Sequence, residues 1–259
     1  MYEIIFSIII PFIGTILGAS FIFLFKKMND TVLKGFTGFA AGVMVAASIW
    51  SLIIPAFEVT NKLGNLSFVP ILVGLWVGFL FFMLLDKLIP HLHNGSEEVE
   101  GPKVKNLKRS LMTSLAVGLH NLPEGVAVGV VIASSQVGGT TVSIGMAIIL
   151  AIGIAIQNFP EGAIVAVSLN TNGVSKPKSF GLGVLTGVVE PIGAIITILF
   201  ANIINPGLPY LLTFAAGAML FVVIEELIPE MAEGKHSHIG TIFFTIGFSL
   251  MMILDVLLG

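Results

Sequence analysis

The chain has 259 residues, of which 56% are apolar and 10% charged, with a formal net charge of −3 at pH 7. A mean hydropathy of +1.03 excludes an ordinary soluble domain and predicts an integral membrane protein, while the charge balance implies neither nucleic acid nor an acidic surface as partner. The absence of cysteine excludes disulfides and thiolate metal sites, so any metal must be held by His, Glu, Asp, Asn, Gln, Met or backbone oxygen.

Hydropathy predicts eight spans, at 4–25, 35–54, 69–90, 111–134, 142–168, 180–203, 210–230 and 239–258, each about 20 residues and long enough to cross a bilayer. The first carries no charge, and Glu3 is the only charge ahead of it. A signal peptide needs a positive leading segment and a shorter apolar core, so this stretch reads as a membrane helix. The second span contains Phe39-Ala40-Ala41-Gly42-Val43-Met44 and ends near Pro55. Met44, Ser51 and Glu58 recur at heptad spacing on roughly one face, which suggests an entrance pathway, although Met44 also suits plain packing. The third span runs from Gly78 through Phe79-Leu80-Phe81-Phe82-Met83-Leu84-Leu85 to Asp86. After it comes the one long connection, 91–110, which holds His91 and His93 and is charged and Gly-containing, the composition of a mobile, partly disordered cytoplasmic loop.

Spans four and five carry the densest chemistry. His120-Asn121-Leu122-Pro123-Glu124-Gly125 and Gln157-Asn158-Phe159-Pro160-Glu161-Gly162 interrupt stretches that are otherwise nearly free of charge. A carboxylate in mid-membrane costs roughly 2.5–3.5 kcal/mol on insertion scales, so it needs a reason. Span six adds Glu190-Pro191-Ile192-Gly193. Span seven repeats the second as Phe214-Ala215-Ala216-Gly217-Ala218-Met219 and continues to Glu225, Glu226, Pro229 and Glu230, with His236 and His238 just beyond. Span eight repeats the third, from Gly247 to Asp255.

Lysine and arginine predict the orientation. Lys26, Lys27, Lys34, Lys87, Lys103, Lys105, Lys108, Arg109, Lys176, Lys178 and Lys235 all fall at the odd-numbered connections, and only Lys62 at an even one. The positive-inside rule then makes the odd connections cytoplasmic and places both termini outside. Segments of opposite direction therefore match in sequence, which is the inverted-repeat signature of transporters. The expected fold is all-α, with eight transmembrane helices in a 3+2+3 arrangement. Spans 1–3 repeat as spans 6–8, spans four and five form a central pair, and residues 1–259 make a single transporter domain.

Residues four apart share a helix face, so His120 lies with Glu124 and Gln157 with Glu161, while Asn121 and Asn158 sit three before each glutamate. Pro123 and Pro160 have no N–H for the carbonyls of Leu119 and Ile156, which must find another partner in hydrocarbon. Three glutamates in one low-dielectric region repel unless protons or divalent cations neutralise them. A set of His, three Glu, Gln and two Asn suits a borderline ion such as Zn²⁺, with Cd²⁺, Fe²⁺ and Mn²⁺ still in play.

With the duplicated N-x-P-E-G, the E-P-x-G and the eight spans in place, the chain resembles the ZIP (Zrt/Irt-like) divalent metal transporters, most closely their prokaryotic members. The resemblance implies a binuclear metal centre midway along a transport path. One metal would take His120, Glu124, Gln157 and Glu161, with Met44 as an additional ligand. The second would take Asn121, Glu124, Asn158, Glu161 and Glu190, with Glu124 and Glu161 bridging. Many family members have histidine at Gln157 and some have aspartate at Asn158, and both departures lower ligand softness or charge here. The expected function is import of a divalent metal, most readily zinc, across the plasma membrane by alternating access, with the lipid bilayer as surroundings and a homodimer as a plausible assembly. A passive cation channel on the same fold is the alternative. An intramembrane zinc hydrolase is a weaker one, since such enzymes need further deep histidines. Asp86, His91, His93, Glu225, Glu226, Glu230, His236 and His238 gather at the inner ends of spans three and seven, as an exit relay, a regulatory metal site or simply a solvated boundary.

Overall fold

The computed structural model describes residues 1–25, 27–90, 109–137, 141–201 and 207–258. Its eight helices long and apolar enough to cross a membrane are α1 (Tyr2–Phe23), α2 (Asp30–Leu66), α3 (Phe68–Leu88), α4 (Ser110–Ser135), α5 (Ile144–Thr171), α6 (Lys176–Phe200), α7 (Leu208–Ala232) and α8 (Ile239–Leu258). All-helical spans are what the bilayer demands, because every backbone N–H and C=O must be satisfied within the segment. Most of the connection 91–110 lies outside the described residues, and His91 and His93 with it; helix has already begun at Arg109.

The helices pack most extensively as four pairs, α1 with α5, α4 with α6, α2 with α8 and α3 with α7. Exchanging helices 1–3 for 6–8, and 4 for 5, converts the first pair into the second and the third into the fourth. The pairing therefore carries the inverted repeat read from the sequence. Apolar side chains gain little from meeting each other in lipid, so close packing must hold such pairs, and small residues permit it. Each seam has its glycine: a Cβ added at Gly18 would overlap the Phe159 backbone, at Gly125 that of Glu190, at Gly42 that of Phe244, and at Gly78 that of Phe214.

The repeat extends to a detail that hydropathy does not register. Ser48–Ile53 in α2 and Val223–Leu227 in α7 are single π-helical segments at equivalent places, each followed by a proline, Pro55 and Pro229. Widened turns of this kind absorb the hydrogen bond a proline cannot donate, and they concentrate at functional sites. Beyond Pro55 the α-helix continues to Thr60, and a 3-10 stretch broken by Gly64 (φ 56°) reaches Leu66, so α2 runs past the predicted end of the second span at 54.

The larger apolar cluster is built mainly from α2, α4, α5 and α7, including Met44, Val131, Leu150, Ile154, Leu212 and Met219, with Ile71 and Phe82 of α3 and Met251 of α8 joining it. On their outer faces α1, α3, α6 and α8 present long exposed apolar rows such as Leu72, Trp76 and Leu80 of α3, a surface that only lipid tails or another apolar face would cover.

A carboxylate and amide centre between α4, α5 and α6

Asn121, Glu124, Gln157, Asn158 and Glu190 are all buried, and Glu161 is half-buried. Pro123 and Pro160 lie inside unbroken helices, so the two N-x-P-E-G blocks stay helical and keep their i, i+3 and i+4 residues on one face. Gln157 Nε2 donates to Glu124 Oε1, and lies 3.5 Å from Asn158 Oδ1. Asn121 Nδ2 donates to Glu190 Oε1 at 2.8 Å. Each amide that donates to a carboxylate must present its NH₂ there, so its oxygen is turned the other way. Glu124 sits in the field of both Glu161 and Glu190.

The consequence is a set of oxygens with nothing to accept. Asn121 Oδ1, Glu124 Oε2, Gln157 Oε1, Glu161 Oε2 and Glu190 Oε2 are each buried without a hydrogen-bond donor. Leaving such a group unsatisfied costs about 1–3 kcal/mol, and more when it is charged. Five acceptors and no matching donor are the complement of a cation. This fits a divalent ion passing as substrate, with the carboxylates supplying the countercharge. Among the described residues, however, no three His, Asp or Glu side chains are already gathered as a ligand cluster.

His120 explains much of that. The sequence places it on the face of Glu124, yet its Nε2 meets Glu226 Oε2 of α7. His120, Glu226, Asp86 and Leu119 line one cavity of about 10 Å³, which is room for about one water-sized particle. Glu226, grouped by sequence with the cytoplasmic end, is thus drawn to the edge of the centre, and Glu161 lies in the field of both Glu226 and Glu230. The neighbouring Glu225 is exposed, about a quarter-turn away. His236 and His238 are exposed with ring centroids 4.9 Å apart.

The expected entrance stripe divides. Met44 is buried in the apolar cluster, Ser51 is buried and donates to Asp255 Oδ1 at 2.8 Å, and Glu58 is exposed, accepting from Thr141 at 2.7 Å. Sequence reasoning did not single out Asp255 as a site residue, although its match to Asp86 in the repeat is a usable signal. The two aspartates have equivalent settings: Asp86 shares its cavity with Glu226, and Asp255 bonds Ser51, with Glu226 and Ser51 both in the π segments. Thr15 and the Pro11 carbonyl of α1 were also missed. Thr15 donates to Glu190 Oε1 at 3.0 Å, and Asn158 Nδ2 donates to Pro11 O at 3.4 Å.

The sequence model of the family described as "ZIP Zinc transporter" matches residues 2–110 and 96–255 of this chain. Among curated relatives, the zinc transporter GufA of Myxococcus xanthus is 36% identical over 251 residues, covering 95% of each chain. The zinc transporter ZIPB of Bordetella bronchiseptica is 35% identical, covering 96% of this chain and 79% of that one. The zinc transporter ZIP11 of Xenopus tropicalis is 34% identical, covering 95% of this chain and 94% of that one. These names describe transport and not catalysis, so the hydrolase alternative is set aside.

Proposed function

Because the chain belongs to the ZIP family of zinc transporters and is a multi-pass membrane protein that transports metal ions, we propose that it imports a divalent cation, zinc foremost, toward the cytoplasm. The observation that carries this reading is the set of five buried, donor-less oxygens contributed by α4, α5 and α6. The ion would be held at a binuclear centre bridged by Glu124 and Glu161. His120 and Gln157 would complete one position, with Met44 near it, and Asn121, Asn158 and Glu190 the other. Zinc takes both nitrogen and oxygen ligands, which matches one imidazole among carboxylates and amides.

The seams favour a particular division of labour. α1 with α5 and α4 with α6 enclose the centre, and α2 with α8 and α3 with α7 flank it. Alternating access would then come from the first four helices moving as a group against the second four. Ser51 and Glu58 mark the outer approach. His120 held against Glu226, beside Asp86, forms a short relay from the centre toward the cytoplasm. Both termini would face outward across the plasma membrane.

The test is zinc uptake into proteoliposomes. Glu124→Ala and His120→Ala should each reduce uptake to background; either variant transporting like wild type would remove the assignment. Saturable flux with a turnover far below the diffusion limit separates this carrier from a passive channel, whose throughput approaches that limit.

A further inference from the structure

We propose that Thr15 of α1 is a positioning residue that fixes how Glu190 presents itself to the ion, and thereby sets discrimination between zinc and ions of higher coordination number. The inference rests on Glu190 being a ligand, as read above. Thr15 is 1% exposed, and its Oγ1 donates to Glu190 Oε1 at 3.0 Å, the same oxygen that accepts from Asn121 Nδ2 at 2.8 Å. Two donors use both lone pairs of that oxygen. Glu190 Oε2 is buried with no donor in hydrogen-bond geometry, although the Asn158 amide also lies close enough to act on the carboxyl group. One oxygen is therefore committed to the protein, and the other alone is left for a cation.

Thr15 is not free to swing away. A Cβ added at Gly187 would lie 2.8 Å from Thr15 Cβ, and one added at Gly162 would lie 2.6 Å from Thr15 O. Both glycines pack directly on it, from α6 and from the second N-x-P-E-G block. The hydroxyl is thus braced against the carboxylate, and Asn121, donating to the same oxygen, keeps its own buried Oδ1 turned away from Glu190. With Asn121, Asn158 and the two bridging carboxylates at the same position, a carboxylate restricted to one oxygen holds the donor count at five, within what Zn²⁺ accepts. Mn²⁺, which prefers six oxygens, gains from a carboxylate able to offer two.

Freed of the threonine hydroxyl, Glu190 Oε1 has a lone pair to offer. The test is equilibrium competition of Mn²⁺ against Zn²⁺ on the purified full-length protein. Thr15→Val, which keeps the branched shape, should narrow the preference for zinc by about tenfold, the usual scale for losing a partner that orients a ligand. Thr15→Ser should retain the wild-type preference. Thr15→Ala, which adds no methyl at the braced position, is the second hydroxyl-free variant if the valine protein does not fold, and the same narrowing is expected of it. An unchanged ratio in the hydroxyl-free protein overturns the proposal. So does an equal loss for both ions that Thr15→Ser fails to restore, since that would be a packing effect alone. Failure of the underlying ligand assignment is read separately, as Glu190→Gln binding zinc like wild type.

Discussion

Gly125→Ala tests whether the centre depends on the closeness of α4 and α6. The added Cβ would lie 2.3 Å from the Glu190 carbonyl oxygen, 2.8 Å from its Cα and 2.9 Å from its carbonyl carbon, whereas carbon atoms rest at about 3.5 Å or more from each other. Relieving the overlap requires the Glu190 backbone to retreat by about 0.7 Å, beyond the roughly 0.5 Å within which a binding constellation must be held. The 2.8 Å bond from Asn121 to Glu190 then stretches toward 3.5 Å and is lost as a hydrogen bond. Overpacking of this kind costs about 1–3 kcal/mol, so the protein should still purify as a folded species. Zinc uptake into proteoliposomes should fall by about tenfold to a hundredfold. Gly118→Ala provides the matched control on the same helix, because a Cβ there meets nothing within 4 Å. Equal uptake by the two variants would refute the claim that helix approach positions Glu190.

Two further outcomes follow from the same contacts. Ligands bind a metal only when deprotonated, so zinc uptake should fall as the assay is taken to acid pH; a flat profile would count against protonatable side chains as the ligands. Lys34 is 8% exposed and donates from Nζ to the carbonyl of Lys235 at 2.6 Å, tying α2 to the α7–α8 connection. Lys34→Met should destabilise the protein by about 1.5–3 kcal/mol, read as a lower Tm in detergent, and an unshifted Tm would show that the tie contributes nothing.

The eight spans were legible because lipid imposes length and apolarity on each helix regardless of its neighbours. Partners were not, since a Leu-rich face reads alike whether it meets lipid or another helix; only the inverted repeat hinted that α2 and α7 have corresponding roles. The glutamates of the centre were legible for the opposite reason, as charges that an apolar stretch does not tolerate idly. Thr15 had no such mark. A membrane threonine or serine can satisfy itself on its own helix, as Ser7 does on the Glu3 carbonyl and Thr213 on that of Pro209. What distinguishes Thr15 is the carboxylate opposite it, and that is a property of the α1, α4 and α6 arrangement. His120 carries the same lesson: helical spacing aligned it with Glu124, while its contact is with Glu226 across a helix boundary.

The four glycine seams also constrain how the protein can be made. No seam joins helices adjacent in the chain: α1 waits for α5, α4 for α6, α3 for α7 and α2 for α8. When the ribosome has released α1 to α4 into the bilayer, not one close-packed pair is yet complete. The early helices must therefore persist as separately inserted spans until the second half is synthesised, and the last seam to close belongs to α2, among the first spans inserted. Such long-range pairing makes assembly slow and leaves the unpaired glycine faces exposed to wrong partners meanwhile.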